Sequence, residues 1–108
     1  YSGNDDTIIP LMSLGAKGVI SVLANIAPKA TSEMKHAFLD GDLKKAAAMQ
    51  AEYKELIDCL FLEPNPIPVK AGMQLLGFNV GPMRLPLTDA EQDVIDRLAA
   101  AMKKVGLI

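Results

Sequence analysis

The sequence predicts an α/β fold in which a strand-helix-strand unit is followed by helices to the end of the chain. Three observations carry this. Gly18–Leu23 reads Gly-Val-Ile-Ser-Val-Leu and breaks at Asn25 and Pro28. A short apolar, β-branched run of that kind is how a parallel strand covered on both faces reads. Tyr1-Ser2-Gly3 reads as the end of a second strand. From Pro28 onward, apolar residues recur at three- and four-residue spacing, which is the helical period.

Taken in order, Asn4-Asp5-Asp6 is N-cap material for a short helix over 7–14, with Ile8, Ile9, Leu11, Met12 and Leu14 apolar. Asp5 or Asp6 is expected to cap it, and Gly15 to close it. Pro10 falls near its first turn, where a missing N–H costs least. Strand Gly18–Leu23 then completes a β-α-β unit with the short crossover of a parallel barrel or doubly wound sheet. In such folds the chemistry gathers beyond the C-terminal ends of the strands. Residues 22–28 are therefore the first place to look for a site. That stretch and the strand before it hold no acid, base or nucleophile except Ser21, so a contribution here comes from backbone and shape.

Pro28 to Asp40 is expected to be helical, with Met34, Ala37 and Phe38 on one side, Thr31 or Ser32 as cap if it starts late, and Gly41 as its end. Asp42 caps a long helix over 43–62, on which Ala46, Met49, Tyr53, Leu56, Ile57, Leu60 and Phe61 form an amphipathic stripe. Glu63-Pro64-Asn65-Pro66 breaks it, because a residue before proline is pushed out of the helical region. Pro66 starts a helix that runs to Leu76 and stops at Gly77. A Gly- and Pro-punctuated loop over 78–87 follows. Thr88-Asp89-Ala90-Glu91 has the spacing of a capping box ahead of a last helix with Val94, Ile95, Leu98, Ala101, Met102 and Val105 apolar. Residues 1–28 thus carry the strand-helix-strand unit, and residues 29–108 the helical region.

With 108 residues and half of them hydrophobic, the chain has the makings of a packed core. A net charge of −2 argues against nucleic acid or an anionic membrane as partner. No apolar run is long enough to cross a bilayer. The single cysteine, Cys59, reads as a reduced thiol, which points to the cytoplasm. Two short strands leave unpaired edges, and the sequence opens on Tyr1 at a strand end, so it is expected to be the C-terminal part of a larger protein.

The remaining chemistry-bearing residues favour bland readings. Asp5 and Asp6 follow a strand end, but capping accounts for them. His36 is the lone histidine and shares its helix face with no second ligand. Cys59 lies among apolar helical residues and reads as buried. Lys70 could be a reactive amine, although an ion-paired or solvent-reaching lysine is the plainer account. Asn65 reads as an elbow residue held by side-chain hydrogen bonds. The phosphate loop, the dinucleotide glycine fingerprint and zinc spacings are absent, so no cofactor is implied.

Tyr1-Ser2-Gly3-Asn4-Asp5-Asp6, Gly18-Val19-Ile20-Ser21-Val22-Leu23-Ala24-Asn25, Glu63-Pro64-Asn65-Pro66-Ile67-Pro68-Val69-Lys70 and Leu85-Pro86-Leu87 occur in this order in the dihydrodipicolinate synthase family, which the chain resembles over essentially its whole length. Related pyruvate aldolases such as N-acetylneuraminate lyase share the fold but resemble the second and third runs less. The resemblance implies the last two strands, seven and eight, of a (β/α)8 TIM barrel, followed by the last barrel helix and a C-terminal helical extension. It implies a homotetrameric lyase of lysine biosynthesis that condenses pyruvate with aspartate semialdehyde through a lysine Schiff base. That lysine lies outside these residues, and the lysine matching Lys70 is not it, so no catalytic side chain is assigned and the chain alone is expected to be inactive. The main-chain carbonyl of Ile20 is implied to stand beside bound pyruvate, with Gly3 allowing close backbone approach. A different class of reading, a free-standing helical interaction domain, fits the helices but leaves the β-α-β start without a purpose.

Overall fold

In the computed structural model, which describes all 108 residues, the two expected strands reduce to one parallel bridge between Ser2 and Val19. Past the bridge each segment turns. Val22 already has helical dihedrals (φ −77°, ψ −42°), and Leu23–Asn25 forms a 3-10 turn. The run is also less covered than the strand pattern implies, with Ile20 exposed and Val19 and Ser21 half-buried. The regular structure in the rest of the chain is helical, with an irregular loop over 78–91, and the chain packs as two units, Tyr1–Lys54 and Glu55–Ile108.

The first unit contains α1 (Ile8–Ser13), α2 (Pro28–Leu39) and α3 (Leu43–Glu52), with a 3-10 turn at Asp5–Thr7 leading into α1. Ile8, Met12 and Met34 form its buried centre, and Ile9, Val19, Phe38 and Met49 pack around them. Helix α2 starts at Pro28, whose missing N–H suits the first helical position. Thr31 is therefore not a cap; its hydroxyl donates back to the Ala27 carbonyl at 2.9 Å.

The junction of α2 and α3 is compact because two residues each do two things. Gly41 takes φ +88°, a conformation that a β-carbon penalises. The Gly41 N–H then donates to the Phe38 carbonyl at 3.0 Å and the Asp42 N–H to the Ala37 carbonyl at 2.8 Å, closing α2 in a Schellman arrangement. Asp42 at once opens α3, its carboxylate accepting the Lys45 N–H at 3.1 Å, as the sequence predicts.

The long helix expected over 43–62 is interrupted. Tyr53 (φ −88°, ψ −1°) ends α3, and α4 runs only Lys54–Cys59. The apolar stripe is continuous in sequence, but it feeds two cores. Ala46 and Tyr53 are buried in the first unit, whereas Leu56, Ile57 and Leu60 are buried in the second.

In the second unit, α5 (Ile67–Leu75) packs against α6 (Gln92–Lys104). Val69, Val94, Leu98 and Met102 are among their buried side chains. Helix α5 begins after Pro66 and not on it, with a cis Asn65–Pro66 bond ahead. Asn65 is exposed and its side chain makes no hydrogen bond; the elbow is closed instead by the Ile67 N–H donating to the Pro64 carbonyl at 2.9 Å. The expected capping box does not form. Helix α6 starts at Gln92, Glu91 makes no side-chain cap, and its N–H donates instead to the Glu63 carboxylate at 3.3 Å. Asp89, inside the would-be box, accepts the Met83 N–H at 3.2 Å. Long-range partners have outcompeted the local ones.

Candidate active site

The bridge fixes two backbone segments side by side. The Ser2 N–H donates to the Gly18 carbonyl, and the Ile20 N–H to the Ser2 carbonyl, each at 2.9 Å. Gly18 has little room for a side chain, since a β-carbon there would lie 3.3 Å from the Tyr1 ring. Beyond Ser2 the chain is bent by its hydroxyl, which donates to the Asn4 carbonyl at 2.7 Å and accepts the Asn4 N–H at 3.2 Å. Hydroxyl turns of this kind end an extended segment, and this one places Asp5 inside.

Asp5 is 1% exposed. Its carboxylate accepts the Ser21 hydroxyl in a short hydrogen bond, and the Val22 and Leu23 N–H groups at 3.0 Å each. A buried carboxylate is tolerable when donors surround it in this way. The Ser21 oxygen accepts the Ala24 N–H at 2.9 Å, and the Asn25 amide donates to the Val22 carbonyl at 3.0 Å. These bonds are why Val22 and Leu23 curl instead of extending. Asp5 thus does not cap the helix it precedes, as the sequence suggests; it caps the turn that follows Ile20. Asp6 is exposed and caps nothing.

Gln50 on α3 completes the arrangement. Its amide donates to the Asp5 carbonyl at 2.9 Å and accepts the Ile9 N–H at 3.1 Å. Sequence reasoning missed it, because no local pattern marks a glutamine whose partners are 41 and 45 residues away.

At the end of the bridge, Ile20 presents a carbonyl that accepts no hydrogen bond from this chain, and its side chain is 74% exposed. Gly3 is exposed, and a β-carbon on it would meet nothing within 4 Å. Nothing in these residues requires a glycine there. A cleft of about 270 Å³ lined by Val19, Ser21, Ala24, Pro28, Thr31, Ser32 and Lys35 lies beside the same run.

The other candidates are scattered. His36 is exposed on α2, with Nδ1 2.8 Å from the Ser32 carbonyl oxygen. Cys59 is buried in the second unit, its Sγ 3.9 Å from the Arg97 carbonyl, and burial pushes its thiol pKa up. Lys70 is half-buried and donates to the Pro82 carbonyl at 2.9 Å, tying α5 to the following loop. No three His, Cys, Asp or Glu side chains gather to hold a metal ion, and no helix is long and apolar enough to cross a membrane.

The family model of the dihydrodipicolinate synthetases matches residues 1–105. The chain belongs to this family. Among its curated relatives, the 4-hydroxy-tetrahydrodipicolinate synthase of Lachnoclostridium phytofermentans is 55% identical over 108 residues, all of this chain and 37% of that protein. The crystal structure of dihydrodipicolinate synthase from Thermotoga maritima superposes with a TM-score of 0.97 at 40% identity, over 100% of this chain and 37% of its own. The chloride-inhibited dihydrodipicolinate synthase of Acinetobacter baumannii, solved with pyruvate, gives 0.93 at 43% identity over the same shares. The chain spans little more than a third of the length of the curated relatives it matches.

Proposed function

We propose that these residues are the C-terminal third of a pyruvate-dependent lyase, a 4-hydroxy-tetrahydrodipicolinate synthase that works in lysine biosynthesis in the cytoplasm. In this reading the bridge joins the seventh and eighth strands of a (β/α)8 barrel, and the helices after it are the last barrel helix and the extension. The reading also takes the complete protein as a homotetramer. Family membership along nearly the whole chain supports it, and the free Ile20 carbonyl at the strand end is the observation that carries it to the site.

The chemistry begins elsewhere in the polypeptide. A neutral lysine amine attacks the ketone carbon of pyruvate, water leaves, and an iminium forms. Loss of a proton from the methyl carbon gives an enamine, whose carbon adds to the aldehyde of aspartate semialdehyde as the aldehyde oxygen takes a proton; the adduct's own amine then attacks the iminium carbon and closes the ring, displacing the lysine amine. This chain supplies one wall. The Ile20 carbonyl dipole faces the lysine nitrogen and the pyruvate carbons, where it favours the ammonium and iminium forms by a charge-assisted contact. Gly3 lets backbone approach the substrate without a side chain between them.

The test is borohydride reduction of the complete polypeptide in the presence of pyruvate, followed by peptide mapping. The adduct is expected on a lysine outside these 108 residues, and an adduct on Lys70 would overturn the assignment. Turnover with aspartate semialdehyde, against the longer sugar aldehydes of related aldolases, identifies the second substrate.

A further inference from the structure

The active-site reading places a main-chain carbonyl at the reacting centre but leaves open what aims it. A carbonyl has no rotamer of its own; its direction is set by the dihedrals on either side, here ψ of Ile20 and φ of Ser21. On the upstream side, the Ile20 N–H is held by Ser2 at 2.9 Å. Downstream, the Ser21 hydroxyl and the Val22 and Leu23 N–H groups all end on one acceptor, the Asp5 carboxylate. Asp5 and Ser2 are three residues apart in one segment, and Gln50 holds the Asp5 main chain in place. The peptide between Ile20 and Ser21 is thus pinned at both ends by the same short stretch, while its own oxygen accepts nothing from the chain.

We propose that Asp5 is a positioning residue for pyruvate binding, whose buried carboxylate fixes the Ser21–Leu23 turn and thereby points the Ile20 carbonyl at the substrate. The proposal rests on the reading of Ile20 as a pyruvate contact. It asks more of Asp5 than stability. Where a group only stabilises the fold, its loss lowers the melting temperature and leaves the affinity of the folded molecules unchanged. Where it aims a dipole, its loss weakens the contact even when every molecule is folded.

The experiment uses the complete polypeptide at a temperature where every variant is folded by circular dichroism. The pyruvate concentration giving half-maximal borohydride-trapped imine is compared with the melting temperature. Asp5→Asn, which keeps one acceptor oxygen, is expected to raise that concentration about tenfold, as for a lost charge-assisted hydrogen bond. Asp5→Ala is expected to raise it further. Ser21→Ala, which removes the hydroxyl's bonds to Asp5 and from the Ala24 N–H but leaves the carboxylate and its two backbone donors, should give a smaller rise in the same direction. Asp42→Ala, a cap at the far end of α2, should lower the melting temperature with no change in pyruvate dependence. If Asp5→Asn and Ser21→Ala behave like Asp42→Ala, the positioning role is overturned while the Ile20 reading stands. If Asp5→Asn fails to fold, Ser21→Ala alone decides by the same criterion. Absence of any imine in the unsubstituted protein would instead overturn the underlying reading and this inference with it.

Discussion

The two units of the chain are held together in different ways. In Tyr1–Lys54, a small apolar centre of Ile8, Met12 and Met34 is joined by buried and part-buried polar bonds that reach across the sequence, from Asp5 to residues 21–23 and from Gln50 to Asp5 and Ile9. In Glu55–Ile108 the interior is mostly aliphatic, and the ion pair of Lys104 with Glu55 at 2.7 Å lies at the surface. Apolar packing is non-directional and tolerates small shifts, whereas hydrogen bonds fix distance and direction. The unit carrying the candidate site uses the directional kind.

The contrast can be broken from either side. Among the largest effects expected is that of Asp5→Ala, which orphans the buried Leu23 N–H and the part-buried Val22 N–H and should cost about 3 kcal/mol in the complete polypeptide by urea unfolding. A cost below that of an ordinary surface substitution would show that the polar bonds are incidental. In the second unit, Leu98→Ala should cost about 3 kcal/mol through lost burial and a residual cavity, whereas Leu98→Met, of similar volume, should stay under about 1.5 kcal/mol. Neither is expected to alter pyruvate dependence, and a large change there would mean that the units differ less in role than in composition.

The smallest effect concerns pH. Burial pushes the Cys59 thiol up, an effect that the Arg97 guanidinium partly offsets. The unfolded chain therefore releases this proton at a lower pH than the folded chain does. Over that interval the folded state binds more protons, so stability falls as pH rises from about 8.5 upward and shows no slope from this group below it. Unfolding of Cys59→Ala across the same range should show a flatter dependence, and the native thiol should react slowly with Ellman's reagent at neutral pH.

What the sequence could reveal depended on range. The Gly41–Asp42 junction, the apolar faces and the start of α2 at Pro28 follow from residues within a turn of one another, and they appear where local chemistry puts them. The misreadings involve competition from afar. Thr88 and Glu91 have capping-box spacing, but Glu63 takes the Glu91 N–H from 28 residues away. Val22 and Leu23 have strand composition, but a carboxylate 17 and 18 residues upstream claims their N–H groups. Tyr53 splits a stripe that is periodic throughout, because the two halves are buried in different units. The importance of the Ile20 carbonyl came from resemblance to a family, since a backbone atom leaves no mark on composition.

Gln50 also sets the rotational phase of α3. A helix advances about 100° per residue, and the amide of Gln50 must meet a carbonyl at 2.9 Å and an N–H at 3.1 Å on two neighbouring residues' segments. One residue inserted in α3 ahead of Gln50 swings that amide roughly a quarter-turn away from both partners. The same insertion at Tyr53, past the amide and where the helix already breaks, leaves the phase untouched. The chain's tolerance of length change is therefore asymmetric about a single glutamine.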